Sequence, residues 1–160
     1  MIPRNLTVAL IEDEELEPAR EWARRAGVEL TWDPRSLEIR AVFTQRTTAE
    51  LFFLLGRLEG YKAIPPAWDF CDHAWGSPGS KCNYPARASL RGIGSIFHTN
   101  PVICAPFNRL AYQTHGGPHG DWGGPEQWLK AAPGSARADT LADMLALIAR
   151  DMSNSNGRMN

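Results

Sequence analysis

Cys104 closes the apolar run Val102-Ile103-Cys104 and lies between Pro101 and Pro106, a bracket that would hold it at a rigid turn. A thiol is partly ionised near neutral pH and strongly nucleophilic, and its thioester stays activated towards amines, so acyl chemistry is within its reach. The competing reading is a small buried hydrophobe beside Val102 and Ile103, since cysteine is among the most buried residue types. Ten residues on, Thr114-His115-Gly116-Gly117-Pro118-His119-Gly120-Asp121-Trp122-Gly123-Gly124 gathers five glycines and two histidines around a proline. An imidazole from His115 or His119 near the thiol could lower its pKa or take a proton from an attacking amine, with Asp121 orienting the ring. The plainer alternative is a glycine-rich surface loop whose histidines bond backbone carbonyls. In His98-Thr99-Asn100, the Asn100 amide could donate to a developing oxyanion or cap a turn before Pro101.

A second grouping competes for the thiols. Cys71-Asp72-His73 and Cys82 offer three potential zinc ligands within twelve residues, and His98 could add a fourth. Against zinc, Cys71 and His73 are separated by one residue rather than two to four, no C-x-x-C knuckle is present, and the zinc-deaminase signature is missing. The expectation is therefore no metal and no cofactor.

The elements that must carry these residues are read from periodicity. Leu16, Ala19, Trp22, Ala23 and Ala26 recur at intervals of three and four, predicting an amphipathic helix over 12–26 that ends at Gly27. Acidic residues lead it and Arg20, Arg24 and Arg25 trail, as the helix dipole prefers. Val28, Leu30 and Trp32 alternate with polar residues, Asp33-Pro34-Arg35-Ser36 turns, and Leu37, Ile39 and Ala41 resume the alternation: a β-hairpin. The apolar run 51–55 suits a central strand, and 67–70 a fourth strand after the break at Gly60 and Pro65-Pro66. From 71 to 133 the chain is rich in Gly, Pro, His and Trp and lacks periodicity, which in one domain points to a functional segment. Thr140 with Asp143 resembles a capping box, and Leu141, Met144, Leu145 and Ile148 form the inner face of a closing helix. Residues 153–160 are polar and expected to fray, leaving a single domain over 1–152.

Together these features resemble the ubiquitin-conjugating enzymes, and in particular their bacterial relatives. Tyr61-Lys62-Ala63-Ile64-Pro65-Pro66-Ala67-Trp68-Asp69-Phe70 is similar to that family's tyrosine, double proline and aromatic-ended strand. His98-Thr99-Asn100 resembles its His-Pro-Asn element, Val102-Ile103-Cys104-Ala105-Pro106 the approach to its catalytic cysteine, and Trp122 or Trp128 the tryptophan beyond it. The resemblance implies an α+β ubiquitin-conjugating-enzyme-like fold: N-terminal helix, four-stranded antiparallel meander, irregular active-site segment, C-terminal helix. It implies an acyl transferase accepting a ubiquitin-like protein as a thioester on Cys104, with His98, Asn100, His115 and His119 as candidate assistants. The partners it implies are the ubiquitin-like protein, an adenylating activating enzyme that contacts the first helix, and a target protein. A Cys-His hydrolase or transferase, and a non-catalytic binding module of the same fold, are the alternatives.

Composition bounds these readings. With 17 basic and 18 acidic residues and a net charge of -1, the chain does not suggest a polyanion partner, and no stretch is long and apolar enough to suggest a membrane span. Three cysteines make a poor disulfide framework and suit a reducing compartment, and the start lacks a signal-peptide layout, so a cytoplasmic location is expected. Only Lys62, Lys81 and Lys130 stand against 14 arginines. A GC-rich genome explains that bias, although few amines would also suit an enzyme handling activated acyl groups.

Overall fold

The computed structural model describes residues 2–87, 95–114, 122–131 and 137–160. The first helix starts earlier than its apolar stripe predicts, at α1 (Arg4–Leu10), and runs through a π-helical turn (Ile11–Glu15) into α2 (Leu16–Ala26). Pro18 accounts for the wide turn, because it has no N–H to return to Glu14 and its ring would crowd that carbonyl. The turn also keeps Thr7, Ile11, Glu15, Ala19 and Ala23 buried on one face, although their four-residue spacing exceeds the helical pitch. Gly27 ends α2 in the left-handed conformation (φ 71°), and the Val28 N–H returns to the Ala23 carbonyl at 2.9 Å.

The meander follows as expected: β1 (Glu29–Asp33), β2 (Glu38–Thr44), β3 (Leu51–Arg57) and β4 (Ala67–Cys71), antiparallel and in sequence order. Ile39, Ala41 and Phe43 of β2 and Phe52 and Leu54 of β3 point into the core, where they meet Ile11, Leu16 and Ala19 from the helical side. Gly56 pairs with Trp68 across β3 and β4. A Cβ at Gly56 would come within 2.5 Å of the Trp68 ring and 2.8 Å of Ile39, so glycine is what lets this fully buried indole approach the β3 backbone so closely.

α4 (Leu141–Ser153) closes the other side of the core. Thr140 caps it, its Oγ1 accepting the Asp143 N–H at 3.2 Å, and Leu141, Met144, Leu145 and Ile148 are fully buried. The α4 N-terminus also rests on the buried Glu15 carboxylate, which accepts the Leu141 N–H at 2.8 Å and the Tyr61 hydroxyl at 2.6–2.7 Å and lies 3.4 Å from the Lys62 ammonium. One buried acid thus ties the π-turn, the β3–β4 connection and α4 together.

The chain end corrects an expectation. Residues 153–160 do not fray but dock: the Met159 N–H donates to the Tyr84 carbonyl at 2.8 Å, and the Ala86 N–H to the Gly157 carbonyl at 2.7 Å. Arg158 lies over the Phe52 ring at 4.4 Å and donates to the Leu51 and Cys82 carbonyls at 2.8 and 3.0 Å. A polar sequence hides this because the contacts are mostly backbone bonds, with only Met159 supplying a large apolar side chain. Among the described residues no helix is long and apolar enough to cross a membrane.

Candidate functional site

Beyond β4 lies a second, two-stranded sheet, β5 (Phe97–His98) and β6 (Val102–Ile103), with Phe97 opposite Ile103 and His98 opposite Val102. Alternation divides its side chains between two environments. Phe97 and Ile103 are fully buried in the main core, whereas Val102 and Cys104 turn outward and pack on Ala111, with Leu110 and Trp122 alongside. The Cys104 N–H donates to the Ile96 carbonyl at 2.6 Å and so extends the ladder one step past β6. Cys104 therefore sits at the mouth of the hairpin in a small apolar layer of its own.

The candidate residues part company here. His98 is half-buried and pairs with Val102, two positions from Cys104 on the same strand face, a diagonal of ~7–8 Å in a sheet. Asn100 is exposed at the hairpin tip, the end away from Cys104. About four residues of strand separate them, or ~13 Å at ~3.3 Å per residue, so the Asn100 amide suits the turn better than an oxyanion at the thiol. His115, His119 and Asp121 lie outside the described residues.

A residue that sequence reasoning passed over holds the site in place. Asn108 is fully buried, and its Oδ1 accepts the Trp68 N–H at 2.9 Å and the Leu110 N–H at 3.2 Å. Its Nδ2 donates to the Ile103 carbonyl at 2.8 Å, clasping the two sides of the Cys104 turn to the start of β4. The Arg109 N–H donates to the Pro66 carbonyl at 2.8 Å, and the Tyr112 hydroxyl to the Pro106 carbonyl at 2.9 Å. After α3 (Ala111–Thr114), Trp122 packs against Tyr112 with ring centroids 5.4 Å apart and the planes tilted by 55°. The single polar side chain ending the run Val102 to Phe107 was the available signal: an Asn in apolar company usually satisfies backbone.

Trp128, in the 3-10 helix Pro125–Lys130, reaches the other resembling segment. Its indole N–H donates to the Lys62 carbonyl at 3.0 Å, and its ring lies 6.2 Å from that of Tyr61. Tyr61, Lys62, Pro66 and Trp68, distant in sequence from residues 102–128, thus form the shelf on which the cysteine segment rests.

The Cys104 thiol is 8% exposed, and burial pushes its pKa above the ordinary thiol value. Cys71, at the end of β4, is pushed up to about 11 by burial and by the charges of Asp69 and Asp72. Cys82 is exposed in the 3-10 helix Lys81–Asn83, its sulfur 3.5 Å from the Ser80 hydroxyl, and His73 is exposed in the turn after β4. Among the described residues no three His, Cys, Asp or Glu side chains come together as metal ligands, so Cys71, His73, Cys82 and His98 do not assemble a zinc site there. No family model matches this chain, and no curated protein or solved structure matches it.

Proposed function

We propose that this chain is a ubiquitin-like-protein conjugating enzyme of the ubiquitin-conjugating-enzyme-like fold, with Cys104 as the acyl acceptor. The observation that carries the reading is convergence. The Tyr61–Phe70 element, the Val102–Pro106 approach and Trp128 carry the resemblance separately in sequence, and the last two both rest on the first, the approach through the Asn108 and Arg109 bonds and Trp128 through its bond to Lys62. In this mechanism the Cys104 thiolate attacks the thioester carbon that links a ubiquitin-like protein to its activating enzyme. A new S–C bond forms, and the activating enzyme's sulfur leaves and takes up the proton that Cys104 released. A target amine then attacks the Cys104 thioester, a C–N bond forms, and Cys104 departs as thiolate to be reprotonated. Because burial favours the neutral thiol, partner docking must uncover or deprotonate it before it attacks.

The same burial favours a second reading, a non-catalytic module in which Cys104 only fills the layer beneath Leu110 and Trp122. One experiment separates the two. Incubated with activating enzyme, ubiquitin-like protein and nucleotide, the wild type should form an adduct cleaved by reducing agent. Cys104→Ala should abolish it with an unchanged thermal melt, and Cys71→Ala and Cys82→Ala should retain it. Cys104→Ser should trap an oxyester that resists thiols and yields to alkali. A folded Cys104→Ala protein that still forms the thiol-sensitive adduct would remove Cys104 from the mechanism.

A further inference from the structure

Asp151 is an acid on the core side of α4. It follows Ile148 by three residues on the inner stripe of α4 and is fully buried. Burying a carboxylate is costly unless its oxygens are satisfied, and replacing a buried ion pair by hydrophobes is often neutral or stabilising. Here the oxygens are divided. Oδ1 receives the Arg150 guanidinium, Nε and Nη2 each at 3.1 Å, and Oδ2 accepts the Ile96 N–H at 2.8 Å. Ile96 passes the connection on, since its carbonyl accepts the Cys104 N–H at 2.6 Å.

We propose that Asp151 is a positioning residue for the Cys104 thiol, acting through Ile96 to set the register of the β5–β6 hairpin. That hairpin has two residue pairs, Phe97 with Ile103 and His98 with Val102, so beyond the burial of Phe97 and Ile103 it holds few pairings to fix which residues stand opposite each other. A one-residue slip would exchange its faces, turning Cys104 into the main core and Ile103 outward. The Asp151 carboxylate, fixed on the well-packed helix α4, supplies a further reference point: it pins the Ile96 N–H, and the carbonyl of the same residue then seats Cys104. An exposed arginine balances the charge, since the Arg150 side chain is 47% exposed and lines the groove between α2, β2 and α4. The importance of this for acyl transfer rests on Cys104 being the acceptor; the positioning itself does not.

The test uses the native protein and iodoacetamide, with each cysteine followed by mass spectrometry. In the wild type, exposed Cys82 should alkylate fast and buried Cys104 slowly. Asp151→Ala should speed Cys104 by about tenfold or more, the size expected for losing a hydrogen bond to a charged group, with Cys82 unchanged. Asp151→Asn, whose amide oxygen still accepts from Ile96, should keep the wild-type rate. A merely structural role predicts that Cys71, buried in β4, accelerates in parallel with Cys104; that result, or an unchanged Cys104 rate, overturns the proposal. Should Asp151→Ala fail to fold, amide exchange on the wild type decides. The Ile96 and Cys104 N–H groups should be protected together, and a Cys104 amide exchanging as fast as that of Asn100 overturns the proposal. None of these readouts needs a partner protein, so a wild type that forms no thioester refutes the acceptor role of Cys104 while leaving the positioning role to be judged by alkylation.

Discussion

Cys71 and Cys104 are both buried thiols, yet they live in different kinds of structure. Cys71 ends a strand of the four-stranded meander, paired with Phe53 in a sheet whose inner face meets both long helices. Cys104 ends a two-pair hairpin and, among the described residues, packs with Val102, Ala111, Leu110 and Trp122 in a cluster separate from the main core. The meander owes its order to area, with large side chains closed on one another over many residues. The Cys104 layer owes its order to a few polar ties, Asn108 above all, that reach across to the meander. Local opening is least costly where buried apolar contacts are few, so a thiol that must be uncovered to react is better placed in the second region than in the first.

The comparison can be broken most forcefully in the sheet. Trp68→Ala should cost about 3–5 kcal/mol of unfolding free energy in urea titrations, as expected for a fully buried indole. Both regions should be lost together, because the Asn108 clasp begins on the Trp68 backbone. A variant whose meander melts while the Cys104 layer stays ordered would show that the layer does not depend on its shelf. Asn108→Ala should do less to stability, about 1–3 kcal/mol, since it strands buried backbone groups at Trp68 and Ile103. It should nevertheless speed Cys104 alkylation well beyond that of Cys71. Equal acceleration at both thiols would mean that the two regions open as one unit.

The gentlest probe is pH. Cys71 is raised from an ordinary value of 9.0 to about 11, so between those limits the unfolded chain releases a proton that the folded chain retains. Its contribution to stability is therefore intact below pH 9 and is lost as pH rises through about 11. Urea midpoints measured across that window should fall, and Cys71→Ala should flatten part of the slope. An unchanged slope in that variant would mean that Cys71 ionises as readily in the folded chain as in the unfolded one.

The meander, the capped α4 helix and the Gly27 stop were legible because each rests on local rules: period-two and period-3.6 burial, a Thr at the cap, a left-handed glycine. Cys104 was singled out by its type and its flanking prolines. Its surroundings were not legible. Asn100 stood near Cys104 in sequence, but the hairpin register sends it to the opposite end, and a register is a pairing decision that composition does not encode. Asn108 and Asp151 matter through the backbone groups they satisfy at Trp68, Ile103 and Ile96, up to 55 residues away.

Residues 153–160 make the same division plain. By itself, the sequence determined the chemistry in stock, one bracketed cysteine among few nucleophiles, and the strands and helices whose periodicity repeats within a dozen residues. Tertiary structure alone decided that a polar C-terminal segment would dock over Phe52 and Tyr84. It likewise decided that Glu15 would join three elements, and that Cys104 would face outward into a thin layer rather than inward with Ile103. The physical reason is common to all three: each outcome depends on where a distant backbone donor or acceptor comes to lie, and that position exists only once the core has closed.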